Sequence, residues 1–127
     1  MKTDKQKTGQ WGEAMAACFL LEHKYEIIHK NYSTRRGEID IIAWHKKPHH
    51  GRTLCFVEVK TRSYGKGSAE RATGREKMKR LQSAALSYCL EHHIYVDKTP
   101  IQFEQVSVYR KKTGEPPKCI HYVIPVD

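Results

Sequence analysis

The sequence predicts a single α/β (α+β) domain, in which helices flank a central mixed five-stranded sheet in the order helix, three strands, helix, two strands. Three observations predict this class. The chain has 127 residues, which is the size of one domain and enough for a core without disulfides or a structural metal. Two segments have the apolar spacing of amphipathic helices, and five others are rich in Ile, Val, Tyr or Phe, as strands are. No internal repeat or linker divides residues 1–127.

The two predicted helices span residues 11–24 and 75–92. In the first, apolar residues recur every three or four positions, and Glu13 stands in the first turn, where the helix dipole favours an acid. The charged residues 1–9 are predicted to form a flexible N-terminal tail. The first turn of the second helix is basic, which opposes the dipole unless a bound phosphate supplies negative charge.

The five predicted strands span residues 26–32, 38–44, 53–61, 101–109 and 118–124. The last two flank a turn signal at 111–117 and therefore form a hairpin. Both faces of the third strand begin apolar, so this strand is central in the sheet. Glu58 and Lys60 are then charged residues at the end of a buried strand, where an unpaired charge costs on the order of several kcal/mol.

The polar loop between the second and third strands is centred on His49, so the numbers of opposite residues should sum to about 98. Asp40 then faces Glu58, with Cβ atoms roughly 4.5 to 5.5 Å apart, and the like charges repel. A divalent cation between the two carboxylates reverses the repulsion, and oxygen ligands suit Mg²⁺, Mn²⁺ or Ca²⁺. The same register brings Glu38 opposite Lys60. Lys60 therefore either neutralises Glu38, or holds an attacking water and stabilises charge on a phosphate, as phosphodiester hydrolysis requires.

Positive charge is concentrated beside this pair of acids. The chain has 23 Lys or Arg against 14 Asp or Glu, a formal net charge of +9. Residues 61–80 hold seven Lys or Arg against two Glu, and residues 98–118 hold five against two. With its three glycines, segment 61–80 is interpreted as a mobile basic loop that leads into the second helix and binds phosphate; an ordinary solvated surface is the alternative. The predicted nucleic-acid contacts are Arg62, Lys66, Arg71, Arg75, Lys77 and Arg80.

Several other classes of protein are excluded. The longest apolar run, residues 14–21, is far shorter than the ~20 residues that span a bilayer, and no signal sequence is recognisable. The four cysteines lack zinc-finger spacing and are interpreted as reduced core thiols, and the eight histidines are poorly spaced for a metal. These observations favour a cytoplasmic protein without a membrane segment.

The motifs Gly37-Glu38-Ile39-Asp40 and Phe56-Val57-Glu58-Val59-Lys60-Thr61-Arg62, followed by Tyr64-Gly65 and a helix with Lys77, resemble the bacterial YraN-type family of predicted endonucleases. That family belongs to the PD-(D/E)XK nuclease superfamily and is similar to archaeal Holliday-junction resolvases. The resemblance covers residues 9–108 and implies a restriction-endonuclease-like fold. One departure is visible: the family has Arg-Phe-Asp where this chain has Gln102-Phe103-Glu104, which puts a substrate or structural contact in doubt.

The resemblance also implies roles for individual residues. Asp40 and Glu58 correspond to the metal ligands, with Mg²⁺ or Mn²⁺ as the cofactor, and Lys60 corresponds to the catalytic lysine. Glu13 matches an acid that often completes the site, or it is only an acid favoured by the helix dipole. Lys77 matches the family's helix lysine, for which contact with a phosphate is the expected role.

The leading hypothesis is therefore a metal-dependent endonuclease, a hydrolase acting on DNA, with branched or junction DNA as the suggested substrate. The alternative is a catalytically silent DNA-binding protein of the same fold, and a third class is a protein whose basic loop docks an acidic partner. RNA stays open as a substrate, because no residue recognisably contacts a 2′-hydroxyl. The likeness to resolvases further suggests a homodimer.

Overall fold

The structure is a computed structural model and describes residues 1–63, 74–111 and 114–126. It confirms the predicted class: a mixed five-stranded sheet with two helices, consistent with a restriction-endonuclease-like α+β fold. The elements in chain order are α1 (Asp4–Glu22), β1 (Glu26–Thr34), β2 (Gly37–Lys47), β3 (Gly51–Ser63), α2 (Arg75–Glu91), β4 (Ile101–Arg110) and β5 (Lys118–Ile124). Lys112 and Thr113, in the predicted turn between β4 and β5, lie outside the described residues.

The strands follow one another across the sheet in sequence order, and β3 is central, as predicted. The pairs β1–β2, β2–β3 and β4–β5 are antiparallel, whereas β3 and β4 are parallel because α2 connects them. The β2–β3 register is the predicted one, with Ile41 opposite Val57 and Trp44 opposite Leu54.

The N-terminal segment differs from the prediction. Helix α1 begins at Asp4, so most of the segment expected to be a flexible tail forms its first turns. The cause is a capping box: the Thr3 hydroxyl accepts a hydrogen bond from the Gln6 amide at 3.1 Å, and the Gln6 side chain accepts one from the Thr3 amide at 2.9 Å. The sequence pattern Thr-x-x-Gln is itself the signal for this start, because it does not depend on apolar periodicity.

Two apolar clusters cover the two faces of the sheet. The α2 cluster packs α2 against one face through residues that include Ile39, Ile42 and Phe56, and the α1 cluster packs α1 against the other through residues that include Ile41 and Val57. Cys55 and Cys89 are buried in these clusters and Cys119 is partly buried, whereas Cys18 is exposed, contrary to its interpretation as a core thiol. No helix of the described chain is long and apolar enough to cross a membrane.

Candidate metal centre

Asp40 and Glu58 lie just beyond the last paired positions of β2 and β3. The ladder between these strands runs from Lys47 opposite Gly51 to Ile41 opposite Val57. Beyond Ile41, β3 continues along β4 as far as Ser63, while β2 continues along β1 as far as Gly37. The two carboxylates therefore stand where a central strand loses one neighbour, which opens the sheet to groups from the helices.

The local backbone at Asp40 is irregular. Residues two apart on a strand face the same side, yet Ile39 belongs to the α2 cluster and Ile41 to the α1 cluster. On the neighbouring strand, Asn31 has φ +53°, and the pairs on either side of it are Tyr32 with Ile39 and Lys30 with Ile41. The side-chain alternation of β2 thus breaks at Asp40. The neighbouring residue of β1, Asn31, has a left-handed backbone conformation, which Asn adopts more readily than most residues do.

The Asp40 carboxylate accepts a hydrogen bond from the Val59 amide at 2.8 Å. Burial nevertheless raises the pKa of Asp40 to about 6; the Val59 amide opposes the rise, and the charges of Glu13 and Glu58 add to it. The negative charge of Asp40 is therefore disfavoured in the metal-free protein. A cation at this position would remove that penalty.

Glu58 is almost completely buried, at 5% exposure. Both of its carboxylate oxygens are inaccessible to solvent, and Oε2 has no hydrogen-bond donor within the described part of the chain. Its one ion-pair partner there is Lys77 of α2, whose ammonium contacts Oε1. Buried carboxylates are normally hydrogen-bonded, so Oε2 of Glu58 has unused acceptor capacity.

Lys60 follows Glu58 by two residues on β3 and is half-buried. Burial lowers its pKa, as do the charges of Lys77 and Arg62, while Glu58 opposes the change. The predicted alternative role of Lys60 is not observed: in the residues that the structure describes, no ion pair joins it to Glu38, and the β2–β3 ladder ends before either residue.

Two adjoining cavities open at these residues. The smaller, of about 340 Å³, is lined by Gly37, Glu38, Asp40, Glu58, Lys77, Arg80 and Leu81. The larger, of about 540 Å³, is lined by Asp4, Lys5, Thr8, Gly9, Glu13, Asp40, Val59, Lys60, Thr61, Arg62 and Lys77. Asp40 and Lys77 line both, so the cavities form one groove between the N-terminal ends of α1 and α2. We call this the candidate-site groove.

Two glycines let the helices approach the strands at this groove. A Cβ atom on Gly12 of α1 would stand 1.9 Å from the hydroxyl oxygen of Thr61 in β3. A Cβ atom on Gly37, at the start of β2, would stand 2.9 Å from the backbone oxygen of Arg80 in α2. Side chains at either position would push a helix away from the strands that carry the acids.

The structure brings most of the predicted site residues together. Glu13 lines the larger cavity with Asp40 and Lys60, and Arg62 and Arg80 line the groove on its two sides. Arg75 is the exposed first residue of α2 and lines neither cavity. Lys66 and Arg71 lie outside the described residues, as does the motif Tyr64-Gly65.

Sequence reasoning missed the part of the groove that α1 provides. Lys5, Thr8 and Gly9 line the larger cavity, although residues 1–9 were expected to be a tail. It also missed the packing role of Gly12. The capping box at Thr3 was the available signal that Lys5, Thr8 and Gly9 belong to a helix. No local pattern points to Gly12, because its contact is with a strand distant in sequence.

The residues present fit a hard divalent cation with an incomplete set of protein ligands. Within the described ranges, no group of three or more His, Cys, Asp or Glu side chains is placed to hold a metal. Asp40 and Glu58 supply two carboxylates, and Oε2 of Glu58 has no hydrogen-bond donor in the described chain. Mg²⁺ characteristically takes one or two carboxylates and completes its shell with waters and substrate phosphate.

The fold and the site together define a restriction-endonuclease-like α+β domain with two acids and a lysine where β2 and β3 diverge. The chain belongs to the family described as uncharacterised protein family UPF0102, also called YraN-type, whose model matches residues 12–108. It is 40% identical over 109 residues to a UPF0102 protein of Chlorobium phaeobacteroides, covering 85% of this chain and 80% of that protein. A UPF0102 protein of Acetivibrio thermocellus is 38% identical over 116 residues, covering 90% and 84%.

Proposed function

We propose that this protein is a metal-dependent endonuclease that hydrolyses phosphodiester bonds in DNA, with branched DNA as the first substrate to test. The observation that carries the proposal is the state of Glu58: a buried carboxylate whose Oε1 is contacted by Lys77 and whose Oε2 has no hydrogen-bond donor in the described chain, next to Asp40 and in a groove that Lys60 also lines. This combination opposes the ionisation of Asp40, whose pKa is raised mainly by burial and to a smaller extent by the charges of Glu13 and Glu58. It suits a divalent cation.

The groups of the chain divide the work of such a reaction. Asp40 and Glu58 would hold Mg²⁺ or Mn²⁺, which when bound supplies Lewis-acid polarisation of the phosphate and a water of lowered pKa. Lys60 donates hydrogen bonds to the attacking water or to a phosphate oxygen, and its partial desolvation strengthens these bonds. Arg62, Arg80 and Lys77 contact backbone phosphates along the groove, and the sequence adds Lys66, Arg71 and Arg75 as further proposed phosphate contacts. Glu13 orients a water near Asp40.

A second candidate function is DNA binding without useful catalysis. It is favoured by the absence of a third acidic ligand among the residues that the structure describes. A site with only two carboxylates binds a metal weakly unless substrate phosphate completes the shell.

The test is a cleavage assay on fork, flap, four-way junction, duplex and single-stranded DNA, and on RNA, with Mg²⁺ or Mn²⁺. We expect metal-dependent cleavage that Asp40→Ala, Glu58→Gln and Lys60→Ala each reduce by at least about 100-fold, the usual scale for a group acting in the transition state. The matched control is Asp97→Ala, which removes an exposed acid that lines neither cavity. Salt-sensitive DNA binding without cleavage would support the second candidate. Binding of an acidic protein that DNA does not displace would instead support docking of an acidic partner.

A homodimer and a cytoplasmic location are separate proposals. The dimer is suggested by the likeness to resolvases, which cut two symmetric strands. Sedimentation at micromolar concentration showing only monomer would contradict it. The cytoplasmic location is suggested by the reduced state expected for the four cysteines, and cell fractionation would test it.

A further inference from the structure

Two buried glutamates on neighbouring strands differ in the number of side chains that contact their carboxylates. Glu104 of β4 accepts hydrogen bonds from Tyr25 and His121, both at 2.6 Å, and pairs with Lys47 at 2.9 Å. Oε1 of Glu58 in β3 is contacted by Lys77, and its Oε2 has no hydrogen-bond donor among the described residues. Glu104 is therefore held by three side chains, whereas the charge of Glu58 is balanced by a single side chain from another layer of the fold.

That side chain is able to leave. Lys77 is the third residue of α2, and its side chain is 56% exposed, compared with 12% for Lys47 beside Glu104. Lys77 lines both cavities of the candidate-site groove. A rotation of the flexible Lys77 side chain would carry the ammonium from Glu58 in the smaller cavity towards the larger cavity, where Lys60 also lies.

We propose that Lys77 is an exchangeable counter-ion of the metal centre, which neutralises Glu58 in the metal-free protein and is displaced when a divalent cation binds Asp40 and Glu58. The displaced ammonium then faces the larger cavity, where it contacts substrate phosphate. The inference rests on the proposed function in assuming that the two acids bind a metal. The inference goes beyond the proposed function because it makes Lys77 a competitor of that metal for Glu58.

Charge repulsion favours the exchange. An ammonium and a divalent cation on the same buried carboxylate would stand within a few ångströms of each other, where like charges repel. Lys60 is not the competitor, because in the described part of the chain it forms no ion pair with Glu58. Lys77 is thus a positioning residue for metal entry and a contact for phosphate afterwards.

The experiment measures Mn²⁺ affinity by calorimetry at fixed ionic strength, without nucleic acid. Lys77→Met should bind Mn²⁺ roughly tenfold more tightly than the wild type, the change produced when about 1.4 kcal/mol of competing ion-pair energy is removed. Lys79→Met is the matched control: it removes the same charge from the same helix, is exposed and lines neither cavity. Its Mn²⁺ affinity should stay within about twofold of the wild type, since a surface charge outside the groove contributes little.

Thermal unfolding in EDTA provides a second readout. Lys77→Met should lower the melting temperature, because it leaves Glu58 buried without a counter-ion, and saturating Mn²⁺ should restore it. The double variant Lys77→Met with Glu58→Gln removes both charges, so it should melt near the wild-type temperature in EDTA and should not respond to Mn²⁺. This variant shows whether any loss of folding comes from the unpaired carboxylate.

Equal Mn²⁺ affinity of Lys77→Met and Lys79→Met would overturn the proposal, and so would the absence of Mn²⁺ binding to all of these proteins. Failure of the proposed function is a different result: the wild type would bind Mn²⁺ and cleave no nucleic acid. Tighter binding by Lys77→Met in such a catalytically silent protein would still support Lys77 as the exchangeable counter-ion.

Discussion

The carboxyl group of Asp40 is held where its charge is disfavoured. Its pKa rises from 3.8 to about 6, mainly by burial, with smaller contributions from Glu13 and Glu58. The folded state therefore binds the Asp40 proton more tightly than the unfolded state does. The free energy of unfolding therefore falls as the pH rises from about 4 to about 6, where Asp40 ionises in the folded protein, and the full loss is reached above about pH 6.

We expect Asp40→Asn to stabilise the metal-free protein by about 1–2 kcal/mol at pH 8 and to have little effect at pH 4. The Asn side-chain oxygen can still accept the hydrogen bond from the Val59 amide, so the change mainly removes the charge. Urea unfolding in EDTA at the two pH values measures the effect, with Asp97→Asn as an exposed control. A destabilised Asp40→Asn protein at pH 8 would contradict the assignment of Asp40 as a strained carboxylate.

Glu104 shows the opposite behaviour. Burial alone would raise its pKa, but hydrogen bonds from His121, Tyr25 and Lys47 outweigh it and lower the pKa from 4.5 to about 2. The stability that Glu104 contributes is therefore present above about pH 4.5 and is lost as the pH falls towards 2. This residue belongs to the segment that departs from the family pattern, and its contacts are structural.

Glu104→Gln should destabilise the protein by about 3 kcal/mol near neutral pH, because Lys47 loses its buried partner. The loss should shrink as the pH falls below about 4.5. The control is Glu26→Gln, which removes an exposed carboxylate 3.8 Å from Arg52 and should cost less than about 1 kcal/mol. Equal effects of the two substitutions in urea unfolding would show that the Glu104 contacts contribute little.

At the scale of elements, the two glycines of α1 give opposite expectations. Gly9 has open space where a Cβ atom would stand, whereas a Cβ atom on Gly12 would meet Thr61 at 1.9 Å. Gly9→Ala should therefore stabilise the protein by up to about 1 kcal/mol through helix propensity. Gly12→Ala has the same propensity gain but should destabilise the protein by about 2 kcal/mol net, because α1 must move away from β3.

Chemical denaturation of the two single variants measures this contrast. Adding Thr61→Ala to Gly12→Ala removes the closest atom, so the double variant should recover much of the lost stability. Gly12→Ala that is as stable as Gly9→Ala would show that α1 is not packed closely on β3.

The elements that the sequence predicted well are those determined by local pattern. Strand bounds follow β-branched and aromatic runs, and the β2–β3 register follows the loop centre, which is why Ile41 faces Val57 as expected. The point at which β2 leaves β3 could not be predicted, because it depends on pairing with β1 and on the break in alternation at Asp40. The contact of Lys77 with Glu58 likewise depends on where α2 packs, which no local pattern specifies.

The whole molecule has a net charge of +9, yet the groove itself is lined by equal numbers of acidic and basic side chains. The two cavities are lined by five acidic and five basic side chains of the described chain. The acids are Asp4, Glu13, Glu38, Asp40 and Glu58, and the bases are Lys5, Lys60, Arg62, Lys77 and Arg80. A divalent cation would shift this balance to a net positive charge, so DNA affinity should depend on the metal as well as on the surrounding basic surface.

We therefore expect Ca²⁺ to tighten DNA binding roughly tenfold over EDTA at equal ionic strength, since bridging to one phosphate adds about 1.4 kcal/mol. Fluorescence anisotropy with a labelled junction measures this affinity at pH 8. Glu58→Gln should bind DNA in EDTA at least as tightly as the wild type, because it removes a groove acid, and should not respond to Ca²⁺. Lys98→Ala, an exposed residue that lines neither cavity, should keep the full Ca²⁺ response. Equal DNA affinities of the wild type in Ca²⁺ and in EDTA would contradict this prediction, because DNA binding would then not depend on a metal.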